Sequence, residues 1–360
     1  MPAPDLVALS LGAGVQSTTL ALLAVEGVLP LPDVAIFADT GWEPAAVYEH
    51  LDRLAVVLEA AGVVLHRVAR GNLRDDMLDP DSRYAAVPYY VLGPCTMCDA
   101  TGSVDHLKLG VDAHLGIAEH VVARLRRFLR ERGLTDADAW TGACPQCDGS
   151  GQTEGMGRRQ CTSEYKLGPI NRKVRELLGA APPDFRRVAK GRVCEQWIGF
   201  STDEIHRVSD KDGVSYSVKR YPLLDLGMSR KDCERWLAAR GWSTTKSACI
   251  GCPYHGNRQW RELRDERPDE WADAVDFDER IRQGSRGGTG GQLNGQAFLH
   301  RSRVPLAIAP IDRVTANEWH SRQGDVFDAI ADQVIEDGDP DGCSPFGCRS
   351  GSSIDLEETV

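Results

Sequence analysis

The sequence predicts an α/β protein, a doubly wound and mostly parallel sheet with a small subdomain inserted into it. Three observations carry that expectation. Apolar runs of strand length alternate with helical patterns over the first quarter of the chain. The first run passes through a glycine-bearing turn directly into a helix, within Leu6–Leu23. Two near-copies of a Cys-x-x-Cys segment then interrupt the alternation, after which it resumes. At 360 residues the chain can bury the core of one elaborated domain, or of one domain with an insert. The expected divisions are 1–92 for the first part of the sheet domain, 93–152 for the insert, 153–275 for the rest of the sheet domain and 276–360 for a C-terminal extension.

Within Leu6–Leu23, an apolar strand meets a turn holding Gly12 and Gly14, and a helical pattern opens at Ser17 with Leu20 and Leu23 on one side. Glycines let the backbone approach a ligand, and a helix start presents unpaired N–H groups at the positive end of its dipole. The loop, with Ser10, Gly12, Gly14, Gln16 and Ser17 as candidate contacts, is therefore suited to phosphate; an ordinary α/β turn that binds nothing is the plain alternative. A second strand within Val34–Pro44 ends on Asp39 and Thr40. Ligands of open parallel sheets sit at the carboxyl ends of strands, where both stretches fall. Val63–Val68 reads as a third strand, with His66 a surface residue at its end.

The insert holds Cys95, Cys98, Cys144 and Cys147, each pair followed by a glycine turn. Four thiolates in two such knuckles match tetrahedral zinc and resemble the zinc-centre repeats of J-domain chaperones. Between them lies a basic amphipathic stretch, 121–132, either a solvated face or a contact to a nucleic-acid backbone. His106, His114 and His120 read as surface residues beside so many thiols. The chain then returns through a glycine-rich joint, 151–157, to Arg158, Arg159, Cys161 and Lys166 ahead of a proline turn. Glu195–Arg207 is a buried strand followed by a charged turn, and Tyr221–Asp232 a strand end followed by a helix with Ser229 as N-cap and Asp232 three residues on. Cys194 and Cys233 read as small buried apolar residues. A third Cys-x-x-Cys supplies Cys249 and Cys252. Residues 283–295 form a glycine-rich loop with Arg286, and acids and glycines surround Cys343 and Cys348 before a tail, 351–360, expected to be disordered.

The formal net charge of −11 argues against a generally basic nucleic-acid binder, although a local cleft can be positive in an acidic protein. No apolar run is long enough for a bilayer and no secretory leader is visible, so a cytoplasmic location is expected. Eleven cysteines, largely paired at Cys-x-x-Cys spacing, fit metal sites in a reducing compartment better than a disulfide scaffold.

Taken in order, these motifs resemble the PP-loop ATP-pyrophosphatase superfamily, and specifically its phosphoadenosine-phosphosulfate (PAPS) reductase-like branch. That branch reads Ser-Gly-Gly-x-Asp-Ser at its loop and Asp-Thr-Gly near the end of its second strand. Gly12–Ser17 and Asp39–Gly41 stand at those places, with Gln16 in place of the aspartate and Gly12 in place of the first serine. Cys161 and Lys166 are similar to its Cys-Cys-x-x-(Arg)-Lys segment, with Thr162 at the second cysteine, and Arg207 to the last arginine of its Thr-Gly-Ile-Arg-x-x-Glu-Ser-x-x-Arg segment.

The resemblance implies an adenine nucleotide alpha-hydrolase-like fold that binds ATP, with magnesium, or PAPS. The loop and Ser17 would hold pyrophosphate, Asp39 and Thr40 would border the nucleotide, and Lys166, Arg207 and Cys161 are the candidate catalytic residues. Cys161, Cys249 and Cys252 would hold a 4Fe–4S cluster with one open iron, or a zinc completed by Cys343, Cys348 or His255. The implied activity is an adenylating sulfurtransferase that uses a sulfur donor to modify a nucleic acid, tRNA or DNA, or a nucleotide. Two other outcomes stay open: a PAPS or adenylylsulfate reductase, and a zinc-dependent binding module that has lost catalysis.

Overall fold

The computed structural model describes residues 3–81, 87–105, 141–157, 159–180, 187–208, 214–244, 247–283 and 295–315, with isolated positions among 123–132 and at 293 and 318. The chain opens with β1 (Leu6–Leu11), α1 (Val15–Val25), β2 (Val34–Asp39), α2 (Ala45–Ala60), β3 (Val64–Ala69) and the short α3 (Leu73–Leu78). The insert carries β4 (Tyr90–Pro94), β5 (Ser103–Asp105), β6 (Thr141–Ala143) and β7 (Gln152–Met156). A π-helical turn, Thr162–Leu167, runs directly into α4 (Gly168–Leu177). Then come β8 (Cys194–Trp197), β9 (Ser217–Arg220), α5 (Pro222–Asp225), α6 (Arg230–Ala238), α7 (Asn257–Glu266), α8 (Pro268–Arg280) and β10 (Gln296–Phe298).

Five strands form one parallel sheet in the order β3-β2-β1-β8-β9, a Rossmann-like α/β arrangement. Both of its faces are covered, which is why the central strands read as continuous apolar runs rather than alternating ones. Leu9, Leu11, Ala35 and Phe37 face the side packed by α1, α2 and α6, among Leu20, Leu51, Leu54 and Leu237. Leu6, Ala8, Val34, Ile36 and Ala38 face the other side, against Ile170 and Val174 of α4. A further core gathers Trp42, Tyr165, Trp260 and Phe277 beneath α7 and α8. In the insert, β4 pairs antiparallel with β7 and β10, and β5 with β6.

Several local expectations shift. The first helix begins at Val15 rather than Ser17, because Gly14 is already extended at the cap (φ −93°, ψ −178°). His66 lies within β3 and is half-buried, not at a strand end. The strand before Tyr221 ends at Arg220, and Pro222 opens a helical turn instead. Ser229 and Asp232 form a capping box, and Cys194 and Cys233 are fully buried. Among the described residues, no helix is long and apolar enough to cross a membrane. His106, His114, His120, Arg158, Arg286, Cys343, Cys348 and the 351–360 tail lie outside the described residues, as does much of 121–132.

Candidate nucleotide site and metal centre

After β1 the chain builds the sheet toward β3, and at β8 it builds in the opposite direction, so the gap between β1 and β8 is the topological switch point. The glycine loop sits at that gap. The Gly12 N–H donates to Ser17 Oγ (3.2 Å), whose hydroxyl donates to the Gly14 carbonyl (3.3 Å). Ala13 between them adopts φ +55°, a strained conformation for a residue with a Cβ. On the β8 side, Gly199 lets the exiting chain touch the helix start: a Cβ there would lie 3.0 Å from the Ser17 nitrogen.

Two polar networks flank the loop. In the first, Gln16 Nε2 donates to Glu204 (3.1 Å), the other oxygen of Glu204 pairs with Arg207, and Arg230 donates to Gln16 Oε1 (3.4 Å). Arg207 also lies 5.1 Å over the Phe200 ring, which stacks on Tyr221. Arg230 also pairs with Glu234 (3.1 Å), so the charges of this network balance, and the positive end that a phosphate would meet is the start of α1.

The second network centres on Glu43, at the carboxyl end of β2. Its Oε1 accepts from Thr40 (3.0 Å) and Cys249 (3.6 Å), with Lys166 Nζ 3.7 Å away. Thr40 Oγ1 is also 3.3 Å from the Cys249 sulfur. Lys166 and Glu43 are both buried, so an ion pair has been carried out of water at a strand end, where perturbed charge marks candidate function. Asp39 accepts from the Gly41 N–H (2.7 Å) and from Tyr48 (2.8 Å), whose hydroxyl is held well above its ordinary value by burial and then by that carboxylate. Among the described residues, three buried polar atoms of adjacent elements, Ser10 Oγ, Thr162 Oγ1 and Gln196 Nε2, have no hydrogen-bond partner.

Cys161, Cys249 and Cys252 border one small cavity with Arg159 and Tyr254. Burial pushes the Tyr254 hydroxyl up to about 12, against the opposing charge of Arg159. Gly251 is pressed against Trp42, where a Cβ would fall 2.0 Å from the ring. The His255 ring sits 3.0 Å from the Cys249 carbonyl, so Nε2 is turned to backbone rather than to the thiols.

In the insert, all four sulfurs of Cys95, Cys98, Cys144 and Cys147 lie within 4.8 Å of one another. The Cys95–Cys144 and Cys98–Cys147 separations are both 3.7 Å. A zinc–sulfur bond of roughly 2.3 Å makes a tetrahedron with edges of roughly 3.8 Å, so the quartet fits one zinc ion. The two knuckles repeat each other bond for bond. Gly102 N–H donates to Cys98 Sγ and Gly151 N–H to Cys147 Sγ, each at 3.3 Å; Cys95 N–H reaches the Gly151 carbonyl and Cys144 N–H the Gly102 carbonyl, each at 2.9 Å. Burial pushes the Cys144 thiol up to about 11. Burial acts on Cys147 in the same sense, but the Gly151 N–H and the neighbouring thiols outweigh it and bring that thiol down to about 7.

The structure thus gathers Thr40, Lys166, Cys161, Cys249 and Cys252 on one side of the strand ends and Gln16 and Arg207 on the other, with the four-cysteine metal-binding group of the insert a separate cluster. Glu43 and Glu204 were not among the expected site residues. Both follow a strand and open a charged turn, a signal that surface acids share; their burial is what distinguishes them. A scan against models of protein families found no match to this chain, and a search of curated proteins found none.

Proposed function

We propose that the chain is an ATP-dependent enzyme that adenylates an oxygen of its substrate and lets a sulfur nucleophile displace AMP. The observation that carries this reading is one juxtaposition. A glycine loop and helix start lie at the switch point, and on the adjacent strand end Thr40 and Glu43 touch a thiol that borders a three-cysteine cavity. In the proposed reaction the substrate oxygen attacks the α-phosphorus, the bond to the bridging oxygen breaks, and pyrophosphate leaves. Sulfur at the sulfide level then attacks the activated carbon, the carbon–oxygen bond breaks, and AMP departs. The α1 N-terminus, Ser17 and Arg207 favour the charge of pyrophosphate, Lys166 favours charge growing on the α-phosphoryl group, and Asp39 borders the nucleoside.

Magnesium is assigned no step at the loop, because a carboxamide, Gln16, stands there and is engaged by Glu204 and Arg230. Zinc fits the insert quartet as a structural ion. Cys161, Cys249 and Cys252 border one small cavity, and three thiolates fit an iron–sulfur cluster or a zinc ion. A cluster held by these three thiolates would supply an iron able to bind sulfur. The nine described cysteines form no disulfide, in keeping with a reducing, cytoplasmic setting. Arg124, Arg127 and Arg130, exposed in the insert, favour a nucleic acid as acceptor.

The test is pyrophosphate release from ATP by anaerobically prepared protein, with and without bulk nucleic acid. Release stimulated by nucleic acid is expected. Protein that releases none, yet reduces PAPS with a thiol donor, would be a reductase instead.

A further inference from the structure

Among the described residues, three of the buried side-chain atoms without a hydrogen-bond partner, Ser10 Oγ, Thr162 Oγ1 and Gln196 Nε2, lie on neighbouring elements: β1, the β8 strand paired to it, and the π-turn packed on β2. Ser10 is the penultimate residue of β1, and the register sets Ala8 of β1 opposite Gln196 of β8, so Ala8, Ser10 and Gln196 lie on the same face of the sheet. That is the face covered by α4. Thr162 opens the π-turn that leads into α4 and packs on β2, and it stands four residues before Lys166, on the same side of the turn. The exposures of Ser10, Thr162 and Gln196 are 6%, 8% and 2%. Gln196 Oε1 accepts from Ser217 (2.9 Å), which fixes the amide and leaves Nε2 as the open end.

A buried donor without an acceptor is costly, and folded proteins keep few of them. Here two donors, Ser10 and Gln196, stand near the carboxyl ends of β1 and β8, and a third, Thr162, opens the π-turn that carries a buried ammonium, with the carboxamide oxygen of Gln160 as an unpartnered acceptor just before it. What such a set lacks is an anionic oxygen. We infer that Ser10, Thr162 and Gln196 form, with Lys166, a subsite for the α-phosphoryl group of a nucleotide whose outer phosphates lie in the Gly12–Ser17 loop. The inference rests on the loop being a nucleotide site. It adds Thr162 and Gln196 to the ligand contacts and makes the π-turn the cover that must shift to admit the ligand.

Calorimetry on the intact chain with ATP and with pyrophosphate, alongside thermal unfolding, tests this with Thr162→Val and Ser10→Ala. Valine keeps the shape of threonine and removes only the hydroxyl. ATP binding is expected to weaken roughly ten-fold in each variant, pyrophosphate binding to stay as in the unaltered protein, and the unligated melting temperature to hold or rise, since a group without a partner has been removed. A purely structural hydroxyl cannot give that combination. Unchanged ATP affinity, or a lowered melting temperature, would overturn the subsite while leaving the loop assignment standing. If the unaltered protein binds neither probe, the loop assignment itself fails and the subsite with it.

Discussion

In the insert, Cys95, Cys98, Cys144 and Cys147 close on one point, whereas Cys161, Cys249 and Cys252 line a small cavity beside the strand ends. Cys249–Cys252 has the same Cys-x-x-Cys spacing as the insert pairs, so spacing alone does not produce the difference. The surroundings do. Each insert pair is followed by a left-handed glycine whose N–H bonds back to the second sulfur (Gly102, φ +76°; Gly151, φ +73°), and this wraps the turn around its own ligands. At Cys249 the thiol is drawn outward to Thr40 and Glu43 of a distant strand end. One set is organised by its own turns to satisfy a metal. The other is tied to the site where the nucleotide is proposed to bind.

The largest effect expected from this contrast comes with metal removal. Structural zinc contributes on the order of 10 kcal/mol to the folding of small zinc-bound modules, so a strong chelator, or Cys95→Ser with Cys144→Ser, is expected to unfold the insert and leave the five-stranded sheet intact. Metal analysis together with amide exchange checks it: protection should vanish in β5 and β6 but persist in β1 and β2. Loss of protection throughout would mean that the two regions fold as one unit.

Next in size is Glu43→Gln, which removes the carboxylate facing the buried Lys166 ammonium and costs about 3–5 kcal/mol. Adding Lys166→Met is expected to recover part of that loss, a non-additivity read by denaturant unfolding. Zinc content should be unaffected in both variants. If it fell, the separation drawn between the two cysteine sets would be wrong.

How much of this was legible beforehand follows from the range of the contacts. The strands at Leu6–Leu11 and Val34–Asp39 announce themselves because both sheet faces are covered and local composition shows it. The four-cysteine cluster is legible because its two halves are copies. The tie between Cys249 and Glu43 spans 206 residues, and that between Gln16 and Glu204 spans 188, distances over which sequence pattern carries no signal. The π-turn is equally silent, since one extra residue in a helical turn leaves the apolar spacing around Lys166 almost unchanged.

Acid separates the regions in a third way. His300 hydrogen-bonds to Asn257 of α7, in the scaffold beneath the three-thiol cavity, and burial, assisted by the charge of Arg301, brings its ring down to about 4. The neutral ring stabilises the fold above the ordinary value of 6.5; as pH falls through 6.5 the unfolded chain takes up the proton first, and stability drops until pH passes the folded value near 4. The loss amounts to about 3 kcal/mol. Unfolding curves between pH 7 and pH 4 should show His300→Gln flattening this slope; an unchanged slope would place the acid sensitivity elsewhere.

The smallest effect is the most pointed test of how the quartet is built. A Cβ on Gly102 would lie 2.2 Å from the Gly149 carbonyl oxygen, and one on Gly151 would lie 2.4 Å from the Ala100 carbonyl oxygen. Both glycines have positive φ, and both give the N–H that supports a ligand sulfur. Alanine at either position must therefore shift the facing turn and stretch an N–H···S bond. Outer partners of this kind are worth roughly ten- to a hundred-fold in metal affinity. Because the knuckles repeat each other, Gly102→Ala and Gly151→Ala are expected to weaken zinc by the same factor, measured by competition with a chromogenic chelator. Gly251→Ala, crowded against Trp42 instead, should leave zinc affinity as it was. Unequal losses at Gly102 and Gly151 would show that one knuckle holds the ion and the other only follows it.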